Sequence, residues 1–394
     1  MDLRKIIIIL GLAGFTVMAD NWVVSPILPA IARDIGVSAT AAGLLITSYM
    51  IPFGLFQLIF GPLADRYGKK QILTFAMFFF TFATALTAMG RGLADLAFYR
   101  ALTGIFAASV MPISLALIGD LFPLSERQAA IGSFMGISFL GQGISMALGG
   151  TIAYWLNWRG VFWVYTVVAA FVTFLFLTTG KKIPSSKNPE SQFLTPYLKL
   201  LSTGKSLAVY VIVLLEGMFL LGSFSYLGAF IEDNYHYNYL AIGLLMTFFG
   251  IAAVIGGRLS GKLAGKYGRK KILLTGLSLA ALADLAFILG ARQLPLLIAG
   301  ITMLGLGFML AHSTLLTMAT EFAVQARGAA MSLVAFCFMG GGGIGTAAGG
   351  KLLKSVDFMN FYAIYGTALV ALVLLALLLV KGQEAVVVGK GEDF

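Results

Sequence analysis

Charge is what this chain most lacks. Of its 394 residues only 11% are Asp, Glu, Lys or Arg, while 59% are hydrophobic, and the mean hydropathy is +0.93. A soluble protein of this length would need a charged shell that is missing here. Cysteine is nearly absent. Cys337 stands alone, which excludes an intramolecular disulfide or a cysteine metal cluster and leaves it as a small packing residue. Two histidines leave little for a metal. There is no GxxxxGK[ST] loop for a nucleotide, no HExxH, no GxSxG and no acid pair at motif spacing. Neither ATP drive, nor an enzyme, nor a cofactor is expected.

What is present is apolar length. Twelve stretches, near 6–30, 39–60, 71–90, 94–119, 128–155, 160–180, 206–231, 239–259, 272–291, 294–320, 328–350 and 358–380, match the ~20 residues that cross a bilayer as helix. The short alternating segments of a transmembrane barrel are missing. The net charge of +10 is set by placement. With the amino terminus inside, twenty of the 27 Lys and Arg fall at cytoplasmic ends: Arg4, Lys5, Arg66, Lys69, Lys70, Arg127, five in 181–205, six in 258–271, Arg327, Lys381 and Lys390. Six fall outside (Arg33, Arg91, Arg159, Arg292, Lys351, Lys354) and Arg100 falls within a helix. That bias predicts a multi-pass protein of the cytoplasmic membrane with both termini inside. Its basic charge serves topology and anionic lipid, not nucleic acid. The apolar start runs on past Asp20 without a cleavage site, so it is read as a retained first helix.

The chain also repeats itself. GPLADRYGKK from Gly61 returns as GKLAGKYGRK from Gly261, identical at six of ten positions. At the same offset of 200, Arg127 matches Arg327, Gly149-Gly150 match Gly349-Gly350, and Gly43 matches Gly243. An all-α membrane fold of two six-helix bundles follows, residues 1–180 and 206–382, around a central site. Residues 181–205 form a polar, proline-containing cytoplasmic linker with a short amphipathic helix near Pro196–Leu201. Residues 383–394 form a cytoplasmic tail.

The charges break the repeat. Asp65 becomes Gly265, Arg100 aligns with Gly300, and Asp20 with Leu220. Depth arithmetic at ~1.5 Å per residue puts Arg100 about 8 Å below the outer boundary and Asp20 about 9 Å below it, so the two are expected to meet. A buried arginine needs a partner. The pair is either architectural or a proton or substrate site whose acidity Arg100 tunes. Glu216, midway along span 7, is a second candidate for proton coupling or for attracting a cationic substrate. His312 in span 10 is proton-linked, substrate-contacting or merely packed. Tyr49, Phe53, Gln57, Phe219, Phe224 and Tyr226 lie on spans 2 and 7 where a cavity would be lined.

The decapeptide Gly61-Pro-Leu-Ala-Asp65-Arg66-Tyr-Gly68-Lys69-Lys70, with Tyr99-Arg100-Ala-Leu-Thr-Gly104, resembles the major facilitator superfamily, and within it the twelve-helix drug–proton antiporter group. The resemblance implies a cofactor-free, monomeric secondary transporter. Protons and a lipophilic small molecule, cations among the candidates, would be exchanged by rocking of the halves. Sugar, metabolite or lipid transport by symport or uniport is the alternative. It also implies that Gly61, Asp65, Arg66, Gly68 and Lys70 latch against Arg127 and Arg327, with Asp65 facing the start of span 11. Spans 3, 6, 9 and 12 would be peripheral, so Asp284 in span 9 would meet a polar neighbour or snorkel outward. The antiporter pattern G-x-x-x-G-P-x-x-G-G survives only as Gly141 and Gly149-Gly150, since Ser145-Met146 stand where Gly-Pro is expected. These glycines, with Gly349 and Gly350, are read as sites of close helix approach.

Overall fold

The computed structural model describes residues 3–185, 187, 195–290, 293–321 and 327–380. Arg292, Lys381, Lys390 and the 383–394 tail lie outside the described residues, as does the side chain of Arg327.

Among the described residues, eleven helices are long and apolar enough to cross a membrane, twelve when a bent pair is one span. In chain order these are α1 (Leu3–Trp22 continued as Val24–Asp34), α2 (Ala39–Tyr67), α3 (Lys69–Met89), α4 (Leu93–Leu121), α5 (Ala130–Trp155) and α6 (Trp158–Leu177). After the linker come α7 (Ser206–Tyr235), α8 (Tyr239–Tyr267), α9 (Arg269–Leu289), α10 (Leu294–Glu321), α11 (Gly328–Leu352) and α12 (Phe358–Leu379). The expected linker helix is present at Thr195–Leu201. Tyr197 on it donates to the Leu58 carbonyl of α2 at 3.1 Å. Burial pushes the Tyr197 phenol up, partly offset by its hydrogen bond with Ser332 of α11, while the Asp65 charge pushes it further up. One side chain thus ties the linker to both halves. Tyr197→Phe is expected to lower thermal stability by about 1 kcal/mol, read by scanning fluorimetry of the solubilised protein; an unchanged midpoint would show the tie to be idle.

The repeated turns behave alike. Gly68 and Gly268 take φ of +105° and +86°, a region that suits glycine, and each separates two helices with no intervening loop. Beside each turn a basic residue braces the end of the next hairpin. Lys69 reaches Asp120 at 2.8 Å, and Arg269 pairs with Glu321.

The breaks in α1 and α7 are local events. Pro26 has no N–H to give the Trp22 carbonyl, and α1 bends by 50° there. α7 winds into a wider π-helical turn over Gly217–Leu221 directly after Glu216, then breaks again at Tyr226.

We call the end carrying the 66–70 and 266–271 turns the basic face, and its opposite the far face. The halves meet tightly toward the far face. Ser25 donates to the carbonyls of Phe224 and Ser225 at 2.8 and 3.2 Å. Tyr226 donates to the Thr40 carbonyl at 3.5 Å, and Arg33 pairs with Glu232 across the rim. A Cβ at Gly150 would fall 2.4 Å from the Tyr239 carbonyl oxygen, and one at Gly228 would fall 2.3 Å from that of Ser25. Only glycine permits that approach. Toward the basic face the packing opens. Among the described residues, a Cβ at Gly61, Gly132, Gly136 or Gly265 would meet nothing within 4 Å.

Candidate functional site

Below the far-face seal lies a cavity of about 230 Å³ walled by both halves. All of its lining residues except Trp22 sit at mid-length or nearer the basic end of their helices. Six methionines and four phenylalanines dominate the wall, and it holds no Asp, Glu, Lys or Arg. Its polar groups are Gln57, Gln142, His312, Ser313, Ser332 and the indole of Trp22. Methionine adapts to differing shapes, so such a wall tolerates varied apolar guests.

Two buried ion pairs flank this cavity, one in each half. In the first half Arg100 donates to Asp20 Oδ2 at 2.6 Å and to the Asp20 carbonyl at 3.5 Å. Both residues are buried, at 0% and 1% exposure for Asp20 and Arg100. The guanidinium also lies 4.4 Å from the Tyr49 ring centroid and 5.7 Å from that of Phe162, so the aromatic faces share in holding its charge. The meeting of Asp20 and Arg100 predicted from depth is therefore present.

In the second half Glu216 Oε2 lies 3.1 Å from His312 Nδ1. Glu216 is fully buried, whereas His312 lines the cavity. His312 thus joins the cavity wall to Glu216. Each acid keeps one oxygen without a partner among the described residues, Asp20 Oδ1 and Glu216 Oε1.

Of the residues expected to line the cavity, Phe53, Gln57 and His312 do so. The remainder of that set is corrected. Asp20 and Glu216 sit behind the wall in their ion pairs, and Tyr49 lies under Arg100. Phe219 packs edge-on against Tyr365 at 5.9 Å, Phe224 against Trp22 at 5.1 Å, and Tyr226 serves the seal through the Thr40 carbonyl. The wide turn and the break in α7 rotate its later residues away from the face that an unbroken helix through Glu216 would present.

At the basic face Asp65 pairs with Lys69 at 3.0 Å within its own half. Arg127 donates to the Phe122 carbonyl at 3.3 Å, and Lys70 to that of Lys181 at 3.2 Å. Arg66 lies 5.9 Å from the Tyr67 ring. These contacts stay within the first half and its linker; the Arg327 side chain lies outside those described. Gly141 abuts the Phe15 carbonyl of α1, and Gly349 and Gly350 lie against Tyr226. Asp284 is buried and accepts from Ser223 at 2.6 Å, the polar neighbour expected for it. Sequence reasoning overlooked Gln142, Met135 and Met331 in the wall. Their signal was faint: Gln142 is an unspecified position of the partial glycine pattern that begins at Gly141, and Met135 and Met331 sit among small and apolar neighbours.

A model of the Major Facilitator Superfamily matches residues 10–263 and 212–392. The chain is 25% identical over 372 residues to the uncharacterised MFS-type transporter YceJ of Bacillus subtilis, covering 91% of this chain and 92% of that one. It is 24% identical to the chloramphenicol resistance protein CraA of Acinetobacter baumannii, over 84% of this chain and 81% of that one. The puromycin resistance protein pur8 of Streptomyces alboniger is 34% identical over 41% of this chain and 33% of its own. Among solved structures the nucleoside transporter NupG superposes with a TM-score of 0.79 at 14% identity, over 96% of this chain and 100% of that one. The chain belongs to the Major Facilitator Superfamily.

Proposed function

We propose that this protein is a proton-coupled secondary transporter that exports lipophilic small molecules across the cytoplasmic membrane by alternating access. The carrying observation is an apolar central cavity, sealed at the far face, with a fully buried acid on each side of it, Asp20 held by Arg100 and Glu216 by His312. The charge bias makes the basic face cytoplasmic, so the described state receives substrate from inside.

The chemistry follows from the pairs. Arg100 keeps its charge throughout, so protonating Asp20 at its vacant Oδ1 breaks the attraction and leaves the guanidinium on Tyr49 and Phe162. Opening the far face exposes Asp20 to protons from outside. Closing it again turns Asp20 back to the cytoplasmic side, where it gives up the proton and re-forms its pair with Arg100; Glu216, joined to the cavity wall through His312, is the second carboxyl placed to take up and release a proton. A carboxylate that gains a proton in one state and loses it in the other couples the two fluxes.

The relatives named for drug resistance support the efflux direction. The nucleoside transporter supports the fold alone. The test is flux in proteoliposomes with an imposed pH gradient. Asp20→Asn is expected to lose gradient-driven substrate movement while keeping exchange of substrate for substrate. Equal gradient-driven flux in the variant would exclude coupling through Asp20.

A further inference from the structure

The cavity wall contains two hydrogen-bond donors with nothing to donate to. Trp22 Nε1 and Gln142 Nε2 are buried and lack an acceptor among the described residues. Both side chains line the cavity, at 5% and 4% exposure. The indole N–H is a donor only, so no rotation or tautomer satisfies it from within. Buried donors are ordinarily paired, and an unpaired one at a concave site points to a partner that arrives from outside the protein. Trp22 and Gln142 stand on α1 and α5, which pack closely where Gly141 meets the Phe15 carbonyl.

Beside them is a stack of parallel rings, of which Phe308 and Phe338 line the wall. Phe308 lies 5.4 Å from Phe338 at an interplanar angle of 11°, and 5.8 Å from Phe249 at 13°. Trp22 approaches Phe308 at 5.9 Å. Flat rings in register favour a flat aromatic guest.

Charge is excluded. No carboxylate, ammonium or guanidinium lines the cavity, and Asp20 and Glu216 are each engaged in their own half. A cation entering this space finds no counter-charge, and desolvating it without one is unfavourable.

We infer that the substrate is an uncharged aromatic compound bearing a hydrogen-bond acceptor, such as a ketone, nitro or ether oxygen. Trp22 and Gln142 hold that oxygen while the ring lies against the Phe308–Phe338 pair. The inference rests on the transporter reading and narrows its substrate class. Export of an uncharged molecule against entering protons moves net charge, so the cycle is electrogenic.

Three matched probes test it on the full-length protein in nanodiscs. Benzophenone carries a carbonyl acceptor, diphenylmethane has the same shape without it, and (4-benzoylbenzyl)trimethylammonium adds a fixed cation. Benzophenone is expected to bind about tenfold more tightly than diphenylmethane, the scale of one well-placed hydrogen bond, and the cation is expected not to compete. The double variant Trp22→Phe with Gln142→Leu should bring the ratio of the two neutral affinities to about one, with diphenylmethane binding retained as proof of folding. Equal weakening of both neutral probes, binding of the cation as tight as the ketone, or binding of none of the three would overturn the inference. Reconstitution separates the two readings. Ketone binding without gradient-driven flux would remove proton coupling and leave recognition intact. Gradient-driven flux of the cation alone would do the reverse.

Discussion

Arg100→Ala is expected to abolish gradient-driven transport and to lower stability by roughly 3–5 kcal/mol, the range for breaking a buried ion pair from one side. The reason is geometric. Asp20 is fully buried and its only charged partner is the guanidinium at 2.6 Å. The same guanidinium donates to the Asp20 carbonyl and covers the Tyr49 ring. Lysine keeps the charge but not the planar fork, so Arg100→Lys is expected to fold better than the alanine variant while transporting poorly. Replacing both partners, Asp20→Asn with Arg100→Gln, removes the uncompensated charge. It should recover most of the stability and none of the coupling that runs through Asp20, because no group that gains and loses a proton remains in this pair. Thermal unfolding in nanodiscs reads the first quantity and pH-jump flux reads the second. A double variant with normal proton-driven flux would reduce the pair to scaffolding.

The second large effect concerns the seal. Gly150→Ala places a methyl 2.4 Å from the Tyr239 carbonyl oxygen, 2.9 Å from Gly243 Cα and 3.1 Å from the Gly243 nitrogen. Backbone atoms do not yield as side-chain tips do, and overpacking of this kind costs about 1–3 kcal/mol. Only the closed far face contains the clash, so the whole penalty acts on the equilibrium between states. A shift of about 5- to 150-fold toward the far-open state follows. Spin labels on cysteines replacing Arg33 and Glu232, in a Cys337→Ser background, should report a longer distance. Gly136→Ala is the control, since its methyl would meet nothing within 4 Å. An unchanged distance distribution in Gly150→Ala would mean that the seal tolerates the extra volume.

Much of the scaffold was legible because it obeys periodic rules. Hydrophobic length placed the spans, the offset of 200 paired the halves, and ~1.5 Å per residue brought Asp20 to Arg100. Those inferences survive because a straight helix preserves depth. They fail where helices are not straight. The wide turn after Glu216 and the break at Tyr226 redirected Phe219, Phe224 and Tyr226, and no local propensity announced either feature. The bend at Trp22 had a sequence cause in Pro26, four residues on. Glu216 meeting His312 was not foreseen as a pair, although both were candidates, because their azimuths depend on how α7 and α10 pack. Asp120 and Glu321 were missed for a simpler reason. Acids at helix ends near basic turns are common, and only the packed hairpins show which ones brace Lys69 and Arg269.

The contacts at the far face have a property that bears on origin. Ser25 reaches the Ser225 carbonyl, its own counterpart 200 residues on. Gly150 lies over the Tyr239 carbonyl at the start of α8, and Gly350 over the Thr40 carbonyl at the start of α2. Each half thus offers the same patch to the other, which is the signature of an isologous interface. A single six-helix chain carrying that patch would close on a second copy of itself. The closed end of this transporter therefore keeps the geometry of a symmetric dimer within one continuous polypeptide.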